Sequence, residues 1–514
     1  MLKMKKLTFC VLCIFAILVL SGYAAEAKTA EELRNADISE LAAQPKFDAR
    51  EYGIITPVRD QGSTSLCWAY SAASASEASI LRSGIDKNSN PFFLSPQQIG
   101  YARNNRGADP LGNTVGETSK NPDNWENTSG GTKYAAALLS TWCGPVKSDV
   151  LYDANGWENA AYKLESAIAV DGQRLNTDVA AREKMKRAIV KYGAVTFSYN
   201  YVRNADFYNP NGELGSFPHA CTIIGWDDTI PAESFYPGST TTDGGWLVKN
   251  SYFSLPYFYL SYEVTCEQIY AFSYAANEKY DYNYFYDAAA SDSGIGSLMQ
   301  IKQAANVFEA KGGDDNKSEW IKAISVAVVG ENADCTVEIY TDVPDGSFTP
   351  DKLVPAAVKT AHFEYGGFNC IELDRPIEVK KGSKFAAVVK VSNAYITMSE
   401  NEGSSYVYRG GWIASPAVRI KVFTKTLEKS ESFIEFVDET KVRAMGSGIK
   451  TLVFAMYDNE KLKALQSETV NFDENNEKII MLPKQWQKGK NIKYKAFLWN
   501  SLYDMSTDCP AAEL

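Results

Sequence analysis

Histidine is almost absent from this chain: 514 residues hold only His219 and His362. So few imidazoles exclude a histidine-cluster zinc centre, and the one CxxC pair, Cys10–Cys13, lies in the N-terminal apolar run and supports no thiolate centre, so no metal and no cofactor is expected. Positive charge is also in short supply. Fifty-two Lys and Arg face 63 Asp and Glu, for a net charge of -11 and a pI near 5.1. That balance argues against nucleic acid or an anionic membrane as the main partner. Long apolar runs are missing beyond residues 7–20, so no transmembrane segment is expected after the leader is removed. No short-period internal repeat is evident, and the wide, unpatterned cysteine spacing excludes a disulfide-scaffold protein.

What is present suits a large globular protein. Hydrophobic residues make up 45% and aromatics 12%, enough for ordinary cores, and the length fits about three domains. Lys3, Lys5 and Lys6 precede the apolar run, and Ser21-Gly22 and Ala24-Ala25-Glu26-Ala27 follow it. Residues 1–27 therefore read as a secretory signal peptide, with an uncleaved N-terminal anchor as the alternative. No cysteine follows the cleavage region, which speaks against a lipid anchor. A secreted or extracellular protein is expected, with cell-surface association as an option. Nine cysteines occur and two lie in the signal; the seven that remain are an odd number, so one thiol should stay free or pair between chains. Cys67 is the candidate for the free one.

Residues 28–44 form a short, polar, weakly helical segment. A Gly- and Ser-rich turn, Gln61-Gly62-Ser63-Thr64-Ser65-Leu66, then leads into Cys67-Trp68-Ala69-Tyr70. A helix is expected from 69 to about 82, closed by Gly84. A thiol at a helix N-terminus sits in the positive end of the macrodipole, which favours thiolate. Helical patterns recur at 134–142 and 179–192, and strand patterns at 194–199, 220–226, 246–249 and 258–262. Helices followed by strands favour an α+β domain with segregated halves.

If Cys67 works with an imidazole, the choice is binary. His362 falls in a later β-rich region, whereas His219, in Phe217-Pro218-His219-Ala220-Cys221, opens a buried strand. Asn250 ends another apolar strand, Gly245-Trp246-Leu247-Val248-Lys249-Asn250-Ser251, where its amide could orient the ring.

Asp48-Ala49-Arg50, Thr56-Pro57-Val58, Gln61-Gly62, Cys67-Trp68-Ala69-Tyr70-Ser71, Leu94-Ser95-Pro96-Gln97-Gln98, Gly130-Gly131, His219-Ala220 and Trp246-Leu247-Val248-Lys249-Asn250-Ser251 resemble, in order, the papain-like cysteine peptidases. The resemblance spans about residues 45–275. It implies Cys67 as nucleophile, His219 as base and later acid, Asn250 as the orienting member, and Gln61 with the Cys67 backbone N–H as the oxyanion hole. It also implies Gly130, Gly131 and Trp68 on the substrate side; a plain turn is the alternative for the glycines. No cofactor is implied.

Several departures stand out. Thr64 occupies the place of a usual disulfide cysteine. Leu66 replaces a small residue, which is expected to narrow the approach to Cys67. Tyr252 replaces a Trp that shields the Asn–His bond. An insert lies around residues 231–243, and the long inhibitory propeptide is missing, although residues 28–46, if extended, could reach across a cleft.

Strand-like runs at 321–329, 336–341, 368–373, 385–391 and 418–423 read as a β-sandwich. Ala305-Asn306-Val307-Phe308, Thr336-Val337-Glu338-Ile339-Tyr340-Thr341 and Lys380-Lys381-Gly382-Ser383-Lys384-Phe385 resemble the lectin-like domain that accompanies secreted bacterial papain-like peptidases. A glycan or cell-surface ligand is the partner this implies, with no sugar-binding residue assignable. Tyr280-Asp281-Tyr282-Asn283-Tyr284-Phe285-Tyr286 is expected to pack internally rather than stack on sugars, and Gly312-Gly313-Asp314-Asp315-Asn316 to be a solvated loop rather than a calcium site. Strands at 451–457, 478–482 and 492–499 resemble a small immunoglobulin-like module, expected to serve spacing or attachment.

The expected organisation is thus multidomain. A papain-like α+β peptidase domain, with a helical half and a β-barrel half, spans 45–277. Two all-β sandwich domains follow, lectin-like at 278–427 and immunoglobulin-like at 428–514. The expected function is a secreted cysteine endopeptidase acting on polypeptides. The alternatives are a non-catalytic adhesion or carbohydrate-binding protein on a peptidase scaffold, and an amidase or transpeptidase of cell-wall peptides.

Overall fold

The computed structural model describes residues 28–514 apart from 87–92, 119–121, 201–206, 209–217, 236–239, 289–299, 315–316, 347, 429–431, 439, 447, 459–460, 473–476, 483–491, 500–508 and 510. The expected signal peptide lies outside the described residues, as does part of the 312–316 loop. No described helix is long and apolar enough to cross a membrane.

The helix Cys67–Ser83 runs through the middle of the first half and is buried on nearly every side. Its sequence explains how. Ala and Ser dominate, so adjoining backbones can approach closely, and three of the buried hydroxyls find partners across the contact. Ser71 donates to the Cys221 carbonyl, Ser76 bonds the Tyr274 hydroxyl at 2.7 Å, and Ser79 donates to the Phe272 carbonyl at 2.6 Å. Glu77 is fully buried; Arg59 at 2.7 Å, the Leu94 N–H at 2.8 Å and the Thr56 hydroxyl satisfy it. Gly84, at φ 73, closes the helix as expected.

This helix packs on an antiparallel run of strands: Tyr162–Val170, Glu267–Ala276, Val195–Asn200, Pro218–Asp227, Gly245–Lys249 and Tyr257–Ser261. Helices Pro96–Asn105, Thr132–Ser140 and Val179–Tyr192 complete the α half. The segment before residue 46 does not extend across a cleft. It folds into two short helices, Ala30–Asn35 and Ile38–Ala42, docked on Cys67–Ser83 and Val179–Tyr192. Thr29 and Glu32 form a capping box, Leu33 is fully buried, and Arg34 donates to the Arg82 carbonyl at 3.1 Å.

The sheet does not stop at the end of the α+β unit. Strand Gly366–Val379 pairs with Tyr162–Val170 through Gly366↔Ala169, Gly367↔Ile168 and Phe368↔Ala167. Lys317–Val329, Ile420–Glu428 and Tyr282–Tyr284 extend the same sheet, which has 13 strands among the described residues. A second sheet, in the order Ala357–Phe363, Ala333–Tyr340, Lys384–Ser392, Gln303–Glu309, Ser405–Tyr408, Trp412–Ser415, packs over this extension. The β-sandwich therefore borrows one of its faces from a sheet shared with the first unit. Tyr280 and Tyr284 are fully buried, and Tyr280 packs with Trp142 and Phe423, as expected for internal packing. Polar contacts reinforce the junction: Lys184 to Glu331 at 2.9 Å, Arg187 to Glu364 at 3.0 Å and Lys279 to Glu165 at 2.7 Å.

Beyond residue 430 two small sheets of three and four strands enclose a core that includes Val442, Leu452, Phe454 and Leu498. Among the described residues, Cys67, Cys143, Cys221, Cys266, Cys335 and Cys370 are free thiols.

Gly367 sits at φ 83, and a Cβ there would lie 2.3 Å from the Ala167 carbonyl oxygen. Gly367→Val should therefore cost roughly 3 kcal/mol. In a thermal melt it should split off an early transition for the β-sandwich. Gly382, at φ 79 with open space around it, is the control: Gly382→Ala should cost only about 1 kcal/mol.

Candidate active site

Cys67 is the first residue of its helix, and the preceding Leu66 offers no side-chain cap. The first-turn N–H groups are then not spent on a cap, and the backbone N–H groups of Cys67 and Trp68 face the sulfur. The Ala220 N–H, on the facing strand Pro218–Asp227, joins them. The sulfur thus lies beside the residue that follows His219. Burial nonetheless dominates, pushing the thiol above its ordinary 9.0 while these donors pull it back.

His219 is only 8% exposed. Its Nε2 lies 2.9 Å from Asn250 Oδ1, an acceptor that fixes the proton on Nε2 and leaves Nδ1 to exchange one. Asn250 Oδ1 also accepts from the Ser251 N–H at 2.8 Å and from the Cys221 thiol at 3.3 Å. The Asn250 amide in turn donates to the Leu255 carbonyl at 3.0 Å, so its orientation is set. Tyr252 stacks on the imidazole at 5.8 Å, and Tyr199 meets it edge-on at 6.0 Å. Burial lowers the imidazole below its ordinary 6.5, and the bond to Asn250 works against that shift.

Gln61 is buried at the mouth of the turn. Its backbone N–H donates to the Ser251 carbonyl at 2.9 Å, and its Oε1 accepts from the Ser251 hydroxyl at 2.6 Å. Its Nε2 gives one hydrogen to the Thr64 carbonyl at 2.7 Å and retains a second. Thr64 donates back to the Gln61 carbonyl at 2.8 Å, so hydrogen bonds close this turn where a disulfide was noted as absent. One residue before Asn250, Lys249 donates to Thr56 at 3.0 Å, and burial holds its ammonium down at about 8. The space behind Cys221, Ser74 and Asn250 is only about 10 Å³.

Two expectations change. Trp68 is fully buried, and a Cβ on Gly130 would fall 2.4 Å from its indole. The ring therefore supports the glycine from below rather than lining the substrate side. Leu66 does not narrow the approach to Cys67: it is 1% exposed and turns inward, so that a Cβ on Gly100 would lie 2.6 Å from it. Gly131 has its own reason to lack a side chain, since a Cβ there would meet Gln268 Oε1 at 2.1 Å. His362 lies far along the chain on the sandwich, exposed and paired with Asp334 at 2.8 Å. No group of His, Cys, Asp or Glu that could hold a metal occurs among the described residues.

Sequence reasoning missed Ser251 as the link between Gln61 and Asn250, although it stood in the quoted Asn250-Ser251 motif. It also missed Tyr199, Cys221 and Gln268. Tyr199 and Cys221 read only as strand residues, and Gln268 carries no pattern that marks its left-handed φ of 49.

Residues 43–255 match the family model described as papain family cysteine protease, and residues 283–413 the one described as lectin like domain. The chain carries a papain-family cysteine protease domain. It is similar to cathepsin K of Mus musculus, 23% identical over 214 residues, covering 40% of this chain and 55% of that protein. Procathepsin L of Rattus norvegicus is 24% identical over 215 residues, with the same two shares. The chain thus spans about half the length of these curated relatives. A crystal structure of the cysteine protease and lectin-like domains of Cwp84, a surface layer associated protein of Clostridium difficile, superposes with a TM-score of 0.58 at 20% identity. It covers 77% of this chain and 95% of that one. A second Cwp84 structure, after propeptide cleavage, gives 0.56 at 19% identity, covering 74% and 99%. At these identities the likeness is one of fold: a papain-like unit followed by a lectin-like β unit.

The shift of His219 has a defined sign. The folded chain binds this proton less readily than the unfolded one, so His219 erodes stability as pH falls through the unfolded value near 6.5. In a His362→Gln background, NMR should show the remaining imidazole titrating below 6.5. Asn250→Ala removes the acceptor that favours the protonated ring and should move that titration lower still.

Proposed function

We propose that this protein is a secreted cysteine endopeptidase in which Cys67 attacks peptide carbonyls with His219 as its proton partner. The observation that carries this reading is the meeting of two elements. An uncapped helix start presents a free thiol to strand Pro218–Asp227, and the imidazole of that strand is pinned through Nε2 by Asn250.

The chemistry follows from those positions. The Cys67 proton passes to His219 Nδ1 as the sulfur bonds to the carbonyl carbon. Because burial favours the neutral form of each group, the charge pair forms by transfer between them rather than by loss of a proton to water. The developing oxyanion is held by the Cys67 backbone N–H and the second N–H of Gln61 Nε2. His219 then returns the proton to the leaving amine as the C–N bond breaks, leaving a thioester. Water attacks that thioester with His219 again as base, and the thiol is regenerated. Gly130, seated on the Trp68 indole, offers its backbone to an approaching peptide.

The fold likeness to a surface-layer-associated protease fits a protein that acts outside the cell, with the β units placing the peptidase on a surface. A non-catalytic scaffold would not require the Asn250–His219 bond, and a cell-wall amidase would share the nucleophile.

A thiol-directed epoxide should label the wild type and not Cys67→Ala; no labelling of the wild type would refute the enzyme reading. Cleavage of a peptide library separates peptidase from amidase. Gln61→Ala should lower kcat by about 10²–10³-fold with little change in labelling by a small alkylating agent.

A further inference from the structure

We propose that Phe253 is a specificity-determining residue for the leaving-group half of the substrate, taking an apolar side chain from the first two residues beyond the scissile bond. The inference rests on the peptidase reading and adds to it a preference on one side of that bond.

Phe253 stands apart from the other large apolar rings. Among the described phenylalanines and tryptophans it alone is more than half exposed, at 67%. A single apolar side chain in water needs no explanation elsewhere on a surface. This one sits at the tip of a loop that the site itself holds in shape. The Asn250 N–H donates to the Pro256 carbonyl at 2.9 Å and the Asn250 amide to the Leu255 carbonyl at 3.0 Å, closing residues 250–256 on themselves. Leu255 packs against the core and anchors the returning limb. The Phe253 N–H donates to Asp60 Oδ2 at 3.1 Å, while Asp60 Oδ1 accepts from the Gly62 N–H at 2.8 Å. Those two donors hold the Asp60 carboxyl below its ordinary range, so the tether stays charged at neutral pH. The ring therefore projects into water from a fixed backbone, and little ordering remains to be done when something lands on it.

Its place beside the chemistry decides what lands there. His219 hands its proton to the leaving amine, so the chain beyond the scissile bond departs past the imidazole. Tyr252 stacks on that imidazole at 5.8 Å, and Phe253 is the next residue. On its other flank Phe253 is fastened to Asp60, the neighbour of Gln61, whose backbone N–H is bonded to the Ser251 carbonyl at 2.9 Å. The loop tip thus bridges the ring that delivers the proton and the turn that holds the oxyanion. An apolar side chain of the departing segment covers the exposed ring there and loses its own water in the same contact.

The test uses the full-length protein, with active-site concentration set by epoxide labelling. Peptides share one acyl half, chosen from the library cleavage, and carry Leu, Phe, Ser or Asp in the two positions after the scissile bond. The methyl ester of the same acyl peptide is measured beside them, because its leaving group is too small to reach Phe253. In kcat/KM the wild type should favour Leu or Phe over Ser and Asp by about tenfold, the scale of one aromatic contact. Phe253→Ala should level that preference to within about twofold while ester hydrolysis keeps its rate to the same margin, and Phe253→Leu should retain part of the preference. A wild type indifferent to these residues overturns the proposal, as does a Phe253→Ala protein that keeps the preference. Equal losses on ester and peptides also overturn it, since they make the ring a structural element. Absence of labelling in the wild type refutes the peptidase reading and this inference with it, whereas normal labelling with an unaltered preference in Phe253→Ala refutes this inference alone.

Discussion

The structure depends on how closely one helix lies against one sheet. Along Cys67–Ser83 the buried positions are mostly alanine and serine, so the helix axis approaches strands Pro218–Asp227 and Glu267–Ala276 without bulky side chains between them. Larger residues would push the helix outward and carry the sulfur away from the Ala220 N–H. Ser71, Ser76 and Ser79 make this closeness tolerable in a dry interior, because their hydroxyls are matched to a strand carbonyl or a tyrosine hydroxyl. Glu77 extends the same contact, fastening the helix to the Arg59 and Leu94 segments on the other side.

The chemistry of the site inherits its character from that packing. A thiol and an imidazole placed where the helix meets the sheet are short of water, which favours neither charge. Against this stand dipoles fixed by the fold: helix N–H groups that lack a cap, and an amide oxygen whose other bonds are already assigned. Ser251 makes the two sides of the groove interdependent, since it holds Gln61 by side chain and backbone and also donates to Asn250. A shift of the turn before Cys67 is therefore felt at the imidazole.

Much of this was legible in the sequence, for stated reasons. The helix end at Gly84, the helix Val179–Tyr192 and the strand carrying His219 all follow from local patterning, and the shortage of histidines left His219 as the candidate partner of Cys67 within the α+β unit. Strand Tyr162–Val170 was not seen, because its apolar–polar alternation slips at Glu165-Ser166, where a bulge shifts the register. Pairing on both sides makes it a strand, and both partners lie about a hundred or more residues downstream. Trp68 was misplaced for a similar reason. Next to a nucleophile it reads as a contact residue, but helical geometry turns adjacent side chains about 100° apart, and this one points inward. The docked helices at 30–42 were hidden by brevity, since a capping box on so short a segment gains its stability from the surface it meets.

Strand Tyr162–Val170 is also a seam in time. As the chain is made from its N-terminus, Glu267–Ala276 can cover one of its edges, but the other stays bare until Gly366-Gly367-Phe368 exists. At about 5–20 residues per second, those roughly two hundred residues take on the order of tens of seconds to synthesise. An uncovered edge is a template for pairing with another copy. The lectin-like unit thus serves the papain-like one before either meets a substrate, as the cover that completes its sheet.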